Sequence, residues 1–453
     1  MRRALTSVLV GLLIGPLVAA CGNRVDGEQA RICREAAPAI NPEGTEISDL
    51  RESPFALAEA GVRIDYVARP PGGAAAAHFV ACGFAGRTFS PERLNLVAVV
   101  TESGPQSEAW LFTFKRFWLG SPEAAGVRVD EPAVPRLPTT IAYAAQQLIN
   151  AIALAAVYAL LATAYSLIYG ITGRINLAFG EVAMLGAYAA IAAIALLVAL
   201  GRDDPLAAIA VALALAAGFA ALWSALIGRH VIAPLHARYR LGQPILVATA
   251  GLAIALQELM HLVQGVRERW IPPLFNAPIA LARGGSFVVT VTPIEIAVVL
   301  VTLAAAAAML WLFTRSRFGL SWRAFADDPA TAVLLGVDGG RLLATTFVLA
   351  GLCAGLAGAV VGVHYGNVDA GMGTLLGLKA LIAALIGGIG SVTGAFMGGL
   401  VVGVIEIAWS AYFDATLRDI VVYTFLIVLF LMRPGGLFGL ANPDPPPAGR
   451  AGV

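Results

Sequence analysis

The sequence predicts an all-α polytopic membrane protein of eight or nine transmembrane helices, preceded by a small α+β extracytoplasmic domain. Of the 453 residues, 58% are hydrophobic and 13% are charged, whereas soluble proteins are about half apolar and about a quarter charged. Apolar runs of bilayer length, about twenty residues each, follow one another from residue 143. Residues 22–138 instead mix Pro, Gly and charges of both signs, as soluble domains do. The net charge of +1 gives no reason to expect a nucleic-acid partner.

The N-terminus carries the features of a bacterial export signal. Met1, Arg2 and Arg3 precede an apolar run over residues 8–20. This order predicts a signal peptide or signal anchor over residues 1–21. The end of the run, Val-Ala-Ala-Cys, is similar to a lipobox, so Cys21 is a candidate for lipidation. Cleavage, lipidation and retention as an anchor all place the chain that follows outside the cytoplasm, in the periplasm.

Residues 22–138 are expected to form a small exported domain. Residues 62–67 and 94–100 have the apolar pattern of strands. Residues 108–119 have the pattern of an amphipathic helix, and its aromatic side chains are expected to belong to the core. Residues 40–57 are expected to be rich in loops.

Two cysteines lie inside this domain, Cys33 and Cys82. Exported domains of this size commonly pair such cysteines, which predicts a disulfide, and two free thiols are the alternative. His78 has no catalytic constellation beside it in the sequence. Three prolines in residues 131–138 predict a linker into the membrane.

Residues 139–440 are expected to form the transmembrane domain, followed by a disordered tail over residues 441–453. The last long apolar run, 376–412, is broken by glycines, which splits it into a short piece and a full span. The other predicted spans cover residues 143–169, 177–200, 206–227, 245–263, 294–313, 342–364 and 420–432.

The distribution of arginine predicts the orientation of these spans. Arg229, Arg238 and Arg240 share one loop, and residues 315–341 hold four more arginines. An excess of Lys and Arg marks cytoplasmic loops. The first span therefore runs from outside to inside, which agrees with an exported N-terminal domain. We expect a multi-pass protein of the bacterial inner membrane.

Residues 315–341 form a polar island between two apolar runs. The island also contains a spaced apolar set. A short helix that offers an apolar stripe to another surface is a natural docking element, and an ordinary basic cytoplasmic loop is the alternative. The apolar set consists of Leu320, Trp322, Phe325, Ala332 and Leu335.

A first glycine-containing segment covers residues 167–181. Gly173 and Gly180 allow the backbone to bend, and Asn176 and Glu181 place polar groups near a membrane boundary. A broken helix can offer backbone groups to the carboxylate or ammonium group of a substrate. The alternative is that the glycines serve only helix packing and that Glu181 faces cytoplasmic water.

A second glycine-rich segment covers residues 377–399, where close helix packing is favoured over direct substrate contact. Charged residues in this part of the chain need partners or water. Lys379 and Glu406 lie in neighbouring segments and can form a structural ion pair, with a proton relay as the alternative; Glu258 is a third such charge. The sequence indicates no metal site and contains no phosphate-binding loop.

These segments resemble the branched-chain amino acid permease family, the H-type membrane subunit of ABC importers. No Glu-Ala-Ala triplet stands at residues 324–326, which departs from the general importer signature but fits this subfamily, and Phe179 stands where a histidine is common. The N-terminal domain lies outside the resemblance. The matching stretches are SRFG at 316–319, RAFADD at 323–328, AVLLGV at 332–337, LIYGITGRINLAFGE at 167–181, GLKA at 377–380, GGIGSVTGA at 387–395 and MRPGGLFG at 432–439.

The resemblance implies a permease subunit that moves branched-chain or related amino acids by alternating access. The chain has no nucleotide-binding motif, so we expect neither enzyme activity nor a bound cofactor. ATP and Mg would be used by two partner ATP-binding cassette subunits. The other implied partners are a second, M-type permease subunit, a periplasmic substrate-binding protein and the lipid bilayer.

The resemblance also implies roles for particular residues. An ATPase-coupling role falls to Arg323, Phe325, Asp327, Asp328, Ala332, Leu335 and Gly336. Independently of the resemblance, the candidates for the substrate path at the two glycine-containing segments are Gly173, Asn176, Gly180, Glu181, Gly387, Gly388 and Gly390.

Other classes of function stay open at this point. An ion-coupled secondary transporter would have polar coupling sites at broken helices in repeated halves, and the sequence has no clear inverted repeat. A membrane-anchored receptor would bind through its exported domain, and the glycine-rich blocks argue against it. Among importers, urea, short amides and other amino acids remain alternative substrates.

Overall fold

The computed structural model describes most of the chain as two compact units, residues 1–131 and 132–453. The predicted signal over residues 1–21, the lipidation candidate Cys21 and the predicted tail over 441–453 lie outside the described residues. The described residues are 25–42, 44–55, 57–86, 93–119, 134–199, 205–238, 243–266, 268–270, 278–285, 287–388 and 390–438.

The first unit is a small α+β domain, as predicted. Its strands form an antiparallel sheet in the order β1-β2-β3-β4-β5. Helix α1 (Gly27–Ile40) precedes the sheet, and helix α2 (Glu108–Thr113) follows it. The strands are β1 (Glu46–Pro54), β2 (Ala60–Arg69), β3 (Ala76–Phe84), β4 (Leu96–Thr101) and β5 (Gly104–Pro105).

Two expectations for this domain need correction. Strand β1 occupies half of the segment expected to be loop-rich. The sequence pattern did not indicate this strand because nearly all its side chains are exposed and leave no apolar alternation. The aromatic set of α2 and the π-helical turn Phe114–Trp118 is only partly core. Phe114 is buried, whereas Phe117 is 59% exposed. Trp110 stacks on Phe114 with ring centroids 5.0 Å apart.

A disulfide joins α1 to the middle of the sheet, between Cys33 and Cys82 of β3. Both cysteines are buried, and Ala30 and Ala37 lie buried on the same side of α1. The indole Nε1 of Trp118 donates to the carbonyl of Glu35 at 2.8 Å, which ties the end of the aromatic helix to α1.

The second unit is a bundle of apolar helices that contains every predicted span. Seven described helices are long and apolar enough to cross a membrane. Two more described helices, of 16 and 15 residues, come from the divided run and the last predicted span. The helices are α3 (Thr139–Thr172), α4 (Phe179–Ala199), α5 (Pro205–Ile227), α6 (Ala233–Arg238), α7 (Gln243–Gln264), α8 (Pro293–Arg315), α9 (Arg317–Asp327), α10 (Pro329–Leu334), α11 (Gly339–Tyr365), α12 (Met372–Gly387), α13 (Val392–Tyr412) and α14 (Arg418–Met432).

Helix α3 forms the centre of the bundle, and all its side chains from residue 153 to residue 168 are buried. Helix α13 approaches α3 closely, since a Cβ at Gly399 would overlap Ala159 and a Cβ at Gly403 would overlap Ala155. In lipid, small residues permit such backbone contact and thereby strengthen dispersion attraction between helices. The glycines of α13 are thus a packing device.

Short strands lie in the segments that join several helices. Strands β7 (Ile279–Gly284) and β8 (Phe287–Val291) form a hairpin, and the backbone N–H of Thr290 donates to the side chain of Gln146 in α3 at 2.8 Å. Strand β6 (Arg269–Trp270) pairs with β9 (Asn367–Val368) and so links the segments after α7 and α11.

The disulfide predicts how thiol reagents label the unfolded protein. Under denaturing, non-reducing conditions, iodoacetamide should modify Cys353 and leave Cys33 and Cys82 unmodified, which peptide mass spectrometry detects. A bridge with a sequence separation of 49 residues stabilises a domain by about 4 kcal/mol in the chain-entropy model. The double change Cys33→Ser and Cys82→Ser should therefore speed proteolysis of the first unit. Alkylation of both cysteines without reduction would contradict the pairing.

Candidate functional site

Helices α9 and α10 form a connector between α8 and α11, and capping residues determine where each begins. The hydroxyl of Ser316 accepts from the N–H of Gly319, and the carboxylate of Asp328 accepts from the N–H groups of Ala330 and Thr331. Hydrogen bonds from the side chain and backbone of Thr331 lower the pKa of Asp328. Such caps satisfy backbone donors that a helix leaves free at its start. After α10, Gly336 turns the chain with a positive φ of 92°.

One face of the connector packs on the bundle itself. Trp322 is only 2% exposed, and its Nε1 donates to the carbonyl of Leu167 in α3 at 3.2 Å. A Cβ at Gly170 would overlap the Trp322 ring, so only glycine fits beneath it. Arg323 donates to the carbonyl of Phe313 at 2.8 Å.

The expectation that the whole apolar set faces a partner is therefore wrong for its buried members. Trp322 and Ala332 are both buried against the chain, and Phe325 is half-buried beside Gly339. Their apolar character fastens the connector to the bundle. Helical spacing alone could not separate this inward face from an outward one.

The opposite face of the connector exposes apolar side chains, which we call the connector patch. Leu320 is 63% exposed, Leu334 87% and Leu335 79%, and Val333 is also exposed. Asp327 is exposed as well. An open depression of about 430 Å³ lies beside the patch. It is lined by Arg317, Phe318, Ser321, Leu335, Gly336, Val337, Asp338, Arg341, Leu342 and Thr345.

A second feature is the break between α3 and α4 over residues 173–178. Gly173 ends α3 in the left-handed conformation, with φ of 61°, which an L side chain rarely adopts. The N–H of Asn176 donates to the hydroxyl of Tyr165 at 3.2 Å, and the N–H of Leu177 donates to the hydroxyl of Thr249 at 3.2 Å. Buried side chains thus replace the hydrogen bonds that the unwound backbone lacks.

Helix α4 begins beside α12 in a backbone contact that requires glycine. A Cβ at Gly180 would overlap the carbonyl of Gly373, and Gly377 lies against the same position. Glu181 follows with 0% exposure, and its Oε1 accepts from the hydroxyl of Thr374 at 2.8 Å. The alternative in which Glu181 faces water is therefore wrong. Its Oε2 is buried without a hydrogen-bond partner in the described part of the chain.

A cavity of about 220 Å³ lies where the break, α7 and α12 meet. Of the residues predicted for the substrate path, Asn176 lines this cavity, while Glu181 stands behind Thr374. Sequence reasoning missed Thr374, Tyr165 and Gln257, because isolated polar residues on separate helices form no motif. The cavity is lined by Tyr165, Asn176, Leu177, Ala250, Ala253, Ile254, Gln257, Thr374, Gly377, Leu378 and Leu381.

The glycines 387, 388 and 390 lie at the corner between α12 and α13, outside the lining of that cavity. A Cβ at Gly387 would overlap the carbonyl of Gly394, and Gly388 and Gly390 have positive φ values of 106° and 88°. The N–H of Leu437 donates to the carbonyl of Ile386 at 2.8 Å. Geometry at this corner matches the packing interpretation of the glycine-rich segment.

An ion network joins α12, α13 and α14; Lys379 and Glu406 are buried in it, whereas Arg418 and Asp419 are partly exposed. The Nζ of Lys379 lies 2.7 Å from Glu406 Oε1 and 3.3 Å from Asp419 Oδ1. The Nε of Arg418 lies 3.5 Å from Glu406 Oε1, and the hydroxyl of Tyr158 in α3 donates to Glu406 Oε2 at 3.0 Å. The predicted pair of Lys379 and Glu406 is confirmed, and Arg418 and Asp419 extend it to two charges of each sign.

Comparisons with known proteins match the transmembrane unit. Residues 147–431 match the family model described as the branched-chain amino acid transport system / permease component. The chain is 35% identical over 297 residues to the high-affinity branched-chain amino acid transport system permease protein LivH of Escherichia coli K12, which covers 66% of this chain and 96% of LivH. Identity is 36% over 300 residues to the corresponding permease protein BraD of Pseudomonas aeruginosa, covering 65% of this chain and 95% of BraD.

A shorter match reaches a protein named for another substrate. The autoinducer 2 import system permease protein LsrC of Klebsiella pneumoniae is 32% identical over 161 residues, covering 34% of this chain and 44% of LsrC. No solved structure matches the chain significantly. The first unit lies outside the residues that the family model matches.

Charge balance in the ion network predicts how substitutions of its members change the stability of the folded protein. Lys379→Met leaves two carboxylates with one cation, and breaking a buried pair in this way costs about 3–5 kcal/mol. Lys379→Met combined with Glu406→Gln again leaves one charge of each sign, so it should restore part of the loss. Thermal unfolding of the purified protein in detergent measures this coupling. Strictly additive losses would contradict it.

Proposed function

The chain belongs to the branched-chain amino acid transport system permease family, and we propose that it is the membrane permease subunit of an ABC importer in the bacterial inner membrane. The proposed substrate is a branched-chain or closely related amino acid, because LivH and BraD are named for branched-chain amino acid transport. ATP and Mg belong to partner subunits in this proposal, since the chain has no phosphate-binding motif.

The observation that carries the proposal is the connector patch. Leu320 lies on α9, Leu334 ends α10 and Leu335 follows it, and all three expose apolar side chains. Exposed apolar residues rimmed by charged ones mark protein interaction sites. We propose that one of two ATP-binding cassette subunits covers this patch. The other ATP-binding cassette subunit binds a second, M-type permease subunit.

The buried face of the connector can transmit a movement of the ATPase subunits to the transmembrane helices. Trp322 bonds to Leu167 and packs on Gly170, near the end of α3 that leads into the break. When the ATPases close, a pull on the connector therefore acts directly on α3. Alternating access follows in this scheme from a rearrangement of α3 against its neighbours at residues 173–178.

The first unit is proposed to lie in the periplasm, where a disulfide is stable. Arginines in the connector and in the segment after α5 favour a cytoplasmic position for these segments. In this orientation α3 enters the membrane from the outside. A periplasmic substrate-binding protein then delivers the amino acid on the side of the first unit.

The test compares wild type with Leu334→Asp plus Leu335→Asp. A charged pair at the centre of an apolar interface should abolish co-purification of the ATPase subunits and lower ATP-dependent leucine uptake in vesicles by at least about tenfold, equal to about 1.4 kcal/mol. The amount of protein in the membrane should stay unchanged, because both leucines are exposed.

A matched control is Leu50→Asp, which places the same change on an exposed leucine of the first unit. It should keep ATPase binding and uptake near wild-type values. Retained ATPase binding by the connector variant would overturn the docking role of the patch. Leucine uptake by wild type that needs no ATP would overturn the importer proposal itself.

A further inference from the structure

We propose that the cavity at the break between α3 and α4 binds the transported molecule as a zwitterionic amino acid with a small aliphatic side chain. Thr374, backed by Glu181, receives the ammonium group, while Tyr165 and Asn176 donate to the carboxylate. This inference rests on the proposed transport function and assigns a binding position to it within this chain.

The ammonium side of the cavity follows from the bond between Thr374 and Glu181. The hydroxyl of Thr374 donates to Oε1 of Glu181 at 2.8 Å, so its oxygen lone pairs remain available on the cavity side. Glu181 is fully buried and has no cation within salt-bridge distance among the described residues. Its place in the first turn of α4 puts the carboxylate at the positive end of the helix dipole.

A carboxyl group buried in this way can carry a negative charge at low cost only when a cation lies beside it. Buried charges are strongly stabilised only when they are paired and hydrogen-bonded. An ammonium group that hydrogen-bonds to Thr374 would sit one hydroxyl away from the Glu181 carboxylate and would supply the missing positive charge. The unpartnered Oε2 of Glu181 shows that the protein itself leaves this carboxylate incompletely satisfied.

The groups that would bind the ligand carboxylate are the hydrogen-bond donors at the break. The Tyr165 hydroxyl oxygen accepts from the N–H of Asn176, and its hydrogen has no acceptor among the described residues, so it can donate to a ligand. The Oδ1 atom of Asn176 accepts from the N–H of Ala178 at 3.1 Å, and its amide NH₂ group has no acceptor in the described part of the chain, so it can donate too. Gln257 on α7 adds an amide to the same lining. These groups suit a carboxylate, which only accepts hydrogen bonds.

The remaining walls limit the size and polarity of the side chain. The cavity of about 220 Å³ is smaller than the pockets of about 300–1,000 Å³ that hold drug-sized molecules. It therefore fits one small amino acid. The apolar walls are formed by Leu177, Ala250, Ala253, Ile254, Leu378 and Leu381.

The first test removes single polar atoms and measures leucine binding without the binding protein. The permease–ATPase complex is prepared with Thr374→Val, Glu181→Gln or Tyr165→Phe. Leucine affinity is measured from the rise in the unfolding temperature of the complex in detergent as leucine is added. Each change removes a charge-assisted hydrogen bond or its charge, so the affinity should fall about tenfold or more. Thr374→Ser keeps the hydroxyl and should bind leucine within about threefold of wild type, given the small change in volume.

The matched control is Thr346→Val. The hydroxyl of this buried threonine bonds to the carbonyl of Leu342 in its own helix, and Thr346 does not line the cavity. It should leave leucine affinity unchanged. A second probe, 4-methylpentanoate, has the side chain and carboxylate of leucine but no ammonium group, and it should bind wild type and Glu181→Gln equally weakly.

The outcomes separate this inference from the proposed function. ATP-driven leucine uptake by wild type, together with unchanged leucine affinity in Thr374→Val, Glu181→Gln and Tyr165→Phe, would overturn the cavity assignment and leave the transport function intact. If Thr346→Val lowered leucine affinity as much as Thr374→Val does, the cavity assignment would also be overturned, because the effect would then be structural. Absence of ATP-driven uptake in wild type would instead count against the proposed function.

Discussion

The unwound backbone between α3 and α4 imposes the constraint on which the surrounding structure depends. A hydrocarbon environment offers no water to backbone N–H and C=O groups, so a broken helix survives only where protein groups replace the lost bonds. Here Tyr165, Thr249 and the side chain of Asn176 provide these bonds. The three side chains come from α3, α7 and the break itself, which forces these elements to meet. The cavity between them is a consequence of that meeting.

Close backbone contacts at glycines fix the positions of the helices around the break. Gly180 meets Gly373 and Gly377 where α4 begins against α12, while Gly399 meets Ala159 where α13 crosses α3. Larger side chains at these positions would separate the helices and draw Thr374 away from Glu181. The ion network at the other side of α12 adds fixed charges between α12, α13 and α14. Helix α12 is thus held by backbone contact on one face and by ion pairs on another.

The connector combines two surfaces within a few turns of helix. Trp322 turns inward to α3, whereas Leu334 and Leu335 turn outward. A mechanical signal applied to the outward surface therefore reaches the helix that leads into the break. Ser316 and Asp328 cap the starts of the two short helices, and Asp338 caps the start of α11. Because the connector has an apolar surface on each side, this polar segment is also rich in large apolar residues.

The sequence by itself determined the membrane class, the positions of the apolar spans and the family, because apolar runs of bilayer length and local glycine motifs are properties of neighbouring residues. It also indicated the pair of Lys379 with Glu406, since buried charges have few partners to choose from. Only the tertiary structure decided which side of the connector faces outward, that Arg418 and Asp419 join the ion network, and that strand β1 exists despite its exposed polar residues. It alone brought Tyr165, Thr374 and Gln257 to one cavity. These residues lie on separate helices, and no local pattern records which faces of distant helices will meet.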